Sequence, residues 1–186
     1  ARRVVSEFLH LMDDVLIESG NTRKIFKKII ALSSPNFNVL DIMLATGILG
    51  KLIPEFTGII DKIQYNHYHL FPVDKHSIRC VQILNHFRKP AESRLSAFYS
   101  SVFKDVRNKN LLLFTALLHD IGKSVPEQEH SKSGTKIARP ILERFGFSLP
   151  EIRDAVFLIE NHLLLIQIAT RRDISDEETA IYMAKK

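Results

Sequence analysis

Leu111-Leu112-Leu113-Phe114-Thr115-Ala116-Leu117-Leu118-His119-Asp120-Ile121-Gly122-Lys123 runs seven apolar residues and one threonine straight into a histidine and an aspartate. A stretch with no polar face has nowhere to sit but inside the protein, and its length and lack of alternation predict a buried helix over 111–121. His119 and Asp120 then arrive at the end of that helix in a setting where both are costly to bury without partners. A divalent cation is an effective compensator, because imidazole nitrogen and carboxylate oxygen are both good ligands for Mn, Fe, Zn or Mg-class ions. The dipeptide alone proves little, since His-Asp pairs also arise by chance and an isolated one at a helix end can be a cap or an ion pair.

Outward from that helix the same period repeats. Val4, Val5, Phe8, Leu9, Met12, Val15 and Leu16 recur at three- and four-residue steps, with Gly20 placed to end the segment. Thr22 is set to cap a helix over 23–32, Ser33-Ser34-Pro35 breaks the chain, and another helix follows over 36–45. Gly47 and Gly50 mark a turn, Pro54 suits the first position of a helix over 55–63, and 65–72 reads as loop. Asp74 is the expected cap of a helix over 75–88, stopped by Pro90, and 92–106 is helical again. Helices over 130–145, with Pro140 inside, and 150–163 follow, and Ser175 with Glu178 makes a capping box for a last one. Nowhere do β-branched and polar residues alternate as in a strand. The fold class is all-α, with 1–46 an N-terminal helical extension and 47–186 the main domain. The chain begins inside one periodic pattern and stops just after a helix start, so it reads as part of something longer.

At 186 residues, 45% hydrophobic and 25% charged, this is an ordinary folded chain, not a disordered or fibrous one. Its apolar runs fall far short of the ~20 residues that span a bilayer, so no membrane association is expected. A single Cys80 fits a reducing, cytoplasmic compartment. The net charge of +5 favours anionic partners such as phosphate esters. The basic residues are spread along the chain and not massed, which argues against nucleic acid.

Four further positions suit a site around His119-Asp120. His76 lies one turn into its helix, whose Ile78, Val81, Ile83 and Leu84 turn it toward a bundle interior. Lys123 is in reach of a phosphoryl oxygen near a metal. His130 and His162, with Asp173, fall at helix ends or in adjoining loops, where side chains can converge.

This ordered set resembles the HD-domain metal-dependent phosphohydrolases, whose signature is a histidine, a His-Asp pair and a distant aspartate, here His76, His119-Asp120 and Asp173. Gly47-Ile48-Leu49-Gly50-Lys51-Leu52-Ile53-Pro54-Glu55-Phe56, Val73-Asp74-Lys75-His76, Asn161-His162-Leu163-Leu164 and Thr170-Arg171-Arg172-Asp173-Ile174-Ser175-Asp176 narrow it. They are similar to the HD domain of the bifunctional PII uridylyltransferase/uridylyl-removing enzymes.

The resemblance implies an HD helical bundle in 47–186, with His76, His119, Asp120 and Asp173 holding a first divalent metal, Mn or Mg before Fe or Zn. His130 and His162 would hold a second metal, bridged by Asp120. Where many relatives of this type have a His-His pair, this chain has Asn161-His162, and an amide is the poorer ligand. Asp120 and Lys123 are the expected catalytic residues, and Arg171, Arg172 and His69 the candidate substrate contacts, each with a plain surface reading beside it. His10, His67 and His86 read as structural. The paired aspartates that the nucleotide-transferring half needs are absent. The implied function is phosphodiester hydrolysis, with uridylylated PII as the partner and removal of UMP from its tyrosine as the reaction. The alternatives are a nucleotide, guanosine polyphosphate or cyclic dinucleotide substrate, or a non-catalytic sensor module.

Overall fold

In the structure, a computed structural model, every residue is described except 1, 33, 35–37, 64–70, 89–92, 127–128, 172, 174–175 and 186. The described residues form helices α1 (Arg2–Glu7), α2 (Asp14–Glu18), α3 (Gly20–Leu32), α4 (Val39–Ala45), α5 (Ile48–Leu52), α6 (Val73–His86), α7 (Arg94–Asp105), α8 (Lys109–Leu118), α9 (His130–Arg144), α10 (Leu149–Glu160), α11 (Leu164–Arg171) and α12 (Glu177–Ala184). Short 3-10 segments lie at Leu9–Leu11, Pro54–Ile59 and Ile121–Ser124. The fold is all-α.

The apolar run is the central helix. Leu113, Phe114, Leu117 and Leu118 of α8 are completely buried, and α8 packs against α3, α6 and α10 together. Being covered on several sides, it has no use for a polar stripe. Phe114 meets Phe26 of α3 edge-on at 5.7 Å and lies 5.0 and 5.1 Å from Phe145 and Phe147 after α9, tying three elements to one ring. The same core takes in Leu40 of α4, Val81 of α6 and Ile159 of α10. α9 packs on the Ile121–Ser124 turn and on α10, which brings the segments after α8 and before α9 face to face.

Several boundaries differ from the sequence expectation, each for a local reason. The helix expected over 4–16 is interrupted because the Asp13 carboxylate accepts from Leu16 N at 2.8 Å and starts a new one. Gly20 begins α3 where it was expected to end a helix. Ser19, not Thr22, is its capping side chain, with Thr22 N donating to Ser19 Oγ at 3.1 Å. Gly47, at φ 83°, precedes α5, and Gly50 lies inside that helix. Pro54 leads only a 3-10 segment. Asp74 is not a cap: α6 starts at Val73 after Pro72, and the Asp74 side chain is buried in the first turn. The Ser175 capping box lies outside the described residues; Asp176 accepts from Glu178 N at the start of α12.

Candidate metal centre

Four histidines reach the site from four different elements. His119 is the residue that closes α8, and Asp120 follows it at the head of the Ile121–Ser124 turn. His76 sits in the first turn of α6, His130 is the first residue of α9, and His162 lies in the turn after α10. Helix ends suit this task, because the chain there can aim side chains along the bundle instead of across it.

The Asp120 carboxylate, 2% exposed, is the hub. Its Oδ2 lies 3.3 Å from His119 Nε2, 3.7 Å from His76 Nε2 and 2.9 Å from Lys123 Nζ. Its Oδ1 lies 3.6 Å from His162 Nε2 and 3.8 Å from His130 Nε2. Each oxygen therefore faces its own pair of imidazoles. His119 and His76 also bring their Nε2 atoms to 3.2 Å of each other.

Two of the rings have their tautomer set by the backbone. His119 Nδ1 donates to the Ala116 carbonyl at 2.8 Å, and His162 Nδ1 donates to the Ile159 carbonyl at 2.7 Å. A carbonyl oxygen only accepts, so in the neutral ring each Nε2 carries a bare lone pair directed at Asp120. Acceptor facing acceptor at these distances calls for a proton or a cation between them. Asp120 Oδ1 and His130 Nε2 are moreover buried with no hydrogen-bond partner. A donor set of imidazole nitrogens oriented by backbone carbonyls around one carboxylate fits a divalent metal, and two groups of potential ligand atoms meet that description: His119, Asp120 and His162, and His76, Cys80 and His119.

Electrostatics point the same way. Burial pushes the Asp120 carboxyl up, but hydrogen bonds from His119 and His162, with the charges of His119 and Lys123, more than reverse this and hold it well below the usual carboxylate range. Burial lowers His130 below its ordinary value; Asp120 opposes that, while Lys123, His162 and His119 add to it. A neutral imidazole and an ionised carboxylate are the forms that bind metal. Cys80 is pushed up to about 11, by burial first and then by the Asp120 charge, so its sulfur stays a thiol near neutral pH.

The cluster forms the floor of a cavity of about 760 Å³, whose walls come from α6, α8, α10 and the start of α11. Among the residues expected from sequence, His76, His119, Asp120, Lys123, His130 and His162 all line it. Lys123 is buried against Asp120. Asp173 is exposed after α11 and belongs to neither group of ligand atoms. Arg171, also exposed, ends α11 and does not line the cavity. His69 and Arg172 lie outside the described residues, as does His67. Cys80 was not anticipated. It sits one turn along α6 from His76, with Sγ 3.7 Å from His76 Nε2, and the four-residue step between them was the available signal.

The chain is similar along its whole length to curated relatives. It is 32% identical over 185 residues, all of this chain and 20% of the relative, to the bifunctional uridylyltransferase/uridylyl-removing enzyme of Cereibacter sphaeroides. It is 37% identical over 182 residues, 96% of this chain and 19% of the relative, to the enzyme of the same name from Rhodopseudomonas palustris. The chain thus spans about a fifth of the length of these relatives. No solved structure gives a significant match. Among the described residues no helix is long and apolar enough to cross a membrane. The sequence profile described as HD domain matches residues 73–186, a span that holds every side chain of the cluster, and the chain belongs to that family.

Proposed function

We propose that this chain hydrolyses phosphodiesters in a metal-dependent reaction, and that its substrate is the ester between UMP and a tyrosine of a PII-type signalling protein. The observation that carries the hydrolytic reading is the Asp120 carboxylate, one oxygen facing His76 and His119 and the other facing His130 and His162. That arrangement suits one carboxylate shared between two cations, with two imidazoles for each. Cations held there supply Lewis acidity toward a phosphoryl oxygen and lower the pKa of a bound water toward neutrality.

The protein's own groups divide the remaining work. The backbone carbonyls of Ala116 and Ile159 fix the rings of His119 and His162. Lys123, held 2.9 Å from Asp120, keeps a positive charge at the cavity floor where charge builds on the phosphoryl oxygens. A tyrosyl oxygen, with a pKa near ~10, leaves more readily than an alkoxide and needs no strong general acid. Imidazole-rich ligation favours Mn, Fe or Zn over Mg, which prefers oxygen ligands. Asp173, the fourth ligand that the family resemblance implies, has to be carried inward from its exposed position to serve. The names of the two relatives, uridylyl-removing enzymes, support the choice of substrate.

Incubation of the Mn-loaded chain with uridylylated PII is expected to release UMP, and Asp120→Ala is expected to abolish both turnover and Mn binding. Turnover of a guanosine polyphosphate or cyclic dinucleotide with none of uridylylated PII rejects the substrate. Absence of both Mn binding and phosphodiester hydrolysis rejects the enzyme in favour of a non-catalytic module.

A further inference from the structure

The cavity has two unlike halves. Its floor is the polar cluster. Its wall is built from Ile83 and Leu84 of α6, Leu112 of α8, Leu158 of α10, Leu163 of the following turn and Ile166 of α11. Three of these, Ile83, Leu158 and Ile166, are large apolar side chains left 42%, 42% and 57% exposed. Contiguous exposed apolar surface beside a polar cluster is what a ligand pocket presents before its ligand arrives.

The wall offers almost nothing to a polar ligand. Among the described residues that line the cavity, Thr115 and Cys80 are the only polar side chains outside the floor. The Thr115 hydroxyl donates to the Leu111 carbonyl at 2.9 Å, and the Cys80 thiol lies against His76. A ribose or a nucleobase placed there would bury its hydroxyls, carbonyls and N–H groups without partners. A phenyl ring would bury only carbon and hydrogen. No side chain of the wall is free to protonate a departing alkoxide, whereas an aryl oxygen departs without that help.

We propose that this wall is the pocket for the aromatic leaving group of an aryl phosphodiester, so that the tyrosyl ring enters the cavity and the nucleoside arm points away from it. The inference rests on the hydrolytic reading and adds the orientation of the substrate. In the reaction, a bond forms between a water oxygen and phosphorus while the bond from phosphorus to the aryl oxygen breaks. The electron pair leaves on the aryl oxygen. The water proton passes to solvent and the phenol regains one from solvent, so diester and water give phenol and nucleoside monophosphate.

The test is calorimetric titration of the full Mn-loaded chain with phenyl phosphate, methyl phosphate and UMP. Phenyl phosphate is expected to bind at least tenfold more tightly than methyl phosphate. Leu158→Asn and Ile166→Asn, both at partly exposed positions that tolerate a polar side chain, should each cut that preference severalfold and leave methyl phosphate and UMP binding within twofold of wild type. Equal affinity for phenyl and methyl phosphate, or a preference indifferent to both substitutions, overturns the pocket. Parallel loss of UMP and phenyl phosphate binding overturns it too, by placing the nucleoside on the wall. These outcomes leave the hydrolytic reading standing if the wild-type protein cleaves bis(4-nitrophenyl) phosphate with Mn; absence of Mn-dependent cleavage and of binding by all three probes rejects both.

Discussion

Replacing Gly122 with alanine should damage the metal centre without touching any ligand. A Cβ built there overlaps the His130 carbonyl oxygen and the Gly134 nitrogen, and stands 2.8 Å from Gly134 Cα. These are backbone atoms of α9, so no side-chain rotation relieves them. Restoring a carbon–carbon contact of ~3.5–4.0 Å requires the Ile121–Ser124 turn and α9 to part by about 1 Å. Overpacking of a tight contact costs about 1–3 kcal/mol and sometimes more, and a clash with backbone on both sides belongs at the upper end. For a chain of this size about 3 kcal/mol lowers the melting temperature by roughly 6–12 °C. The same displacement draws His130 away from Asp120 Oδ1, to which it now stands at 3.8 Å, so Mn stoichiometry should fall. Gly134→Ala is the control: its Cβ meets the Ile159 Cγ2 methyl at 3.2 Å, a side chain that can yield, and about 1 kcal/mol is expected. Thermal unfolding followed by circular dichroism, with Mn titration of each variant, reads both effects. A Gly122→Ala protein that melts within a degree of wild type and keeps its Mn stoichiometry shows that the turn and α9 are not in this contact, and the reasoning fails.

Other expectations follow from the same geometry. The Glu55 carboxylate is paired with both terminal nitrogens of Arg144 at 3.0 and 2.8 Å. Burial raises its pKa, but Arg144, by hydrogen bond and charge, together with a backbone hydrogen bond, lowers it further, for a net depression. Its stabilisation, about 1 kcal/mol for a pair this accessible to solvent, is therefore complete above the ordinary carboxyl value of ~4.3 and disappears as pH falls through the lower folded value. The difference in urea midpoint between wild type and Glu55→Gln should be present at pH 7 and closed at low pH; a gap that widens in acid has the sign wrong. Mn at a hundredfold excess over its dissociation constant should stabilise the chain by about 2.7 kcal/mol, reversed by EDTA, and an unchanged melting curve counts against a metal site in the folded state. Asp173→Ala should weaken Mn binding at least tenfold if that carboxylate moves in to complete the first site, and unaltered affinity removes it from the ligand set.

Much of the fold was legible because its centre admits one physical solution. The run ending at Leu118 can only be a helix covered on several sides, and two ionisable groups at its buried end demand compensation, which is what His76, His130, His162 and Lys123 provide. What escaped the sequence depends on single hydrogen bonds that a periodic pattern averages over. Asp13 and Ser19 restart helices inside one continuous apolar period. The pattern over 150–163 predicted one helix and nothing beyond it. Asn161 Nδ2 instead donates to Phe157 O, and His162 Nδ1 to Ile159 O, which satisfies the last carbonyls of α10 and lets α11 begin afresh at Leu164. The backbone contact of Gly122 with α9 was invisible for a different reason: a glycine required by close approach, not by a positive φ, leaves no turn signature in the sequence.

The same turn bears on whether asparagine at position 161 removes a ligand from the second metal. The Asn161 amide is directed back along α10, 2.9 Å from the Phe157 carbonyl, so this position faces the helix end. The imidazole that faces the carboxylate comes from its neighbour, His162, at 3.6 Å from Asp120 Oδ1, with His130 beside it at 3.8 Å. The two oxygens of Asp120 are therefore matched by two imidazoles apiece, and asparagine subtracts nothing from either side. Its capping bond has a positive role. By closing α10 at Glu160 it sets the turn in which His162 Nδ1 can reach the Ile159 carbonyl, and that bond leaves the Nε2 lone pair free for a cation. Asn161 thus helps to place a ligand that it does not itself supply.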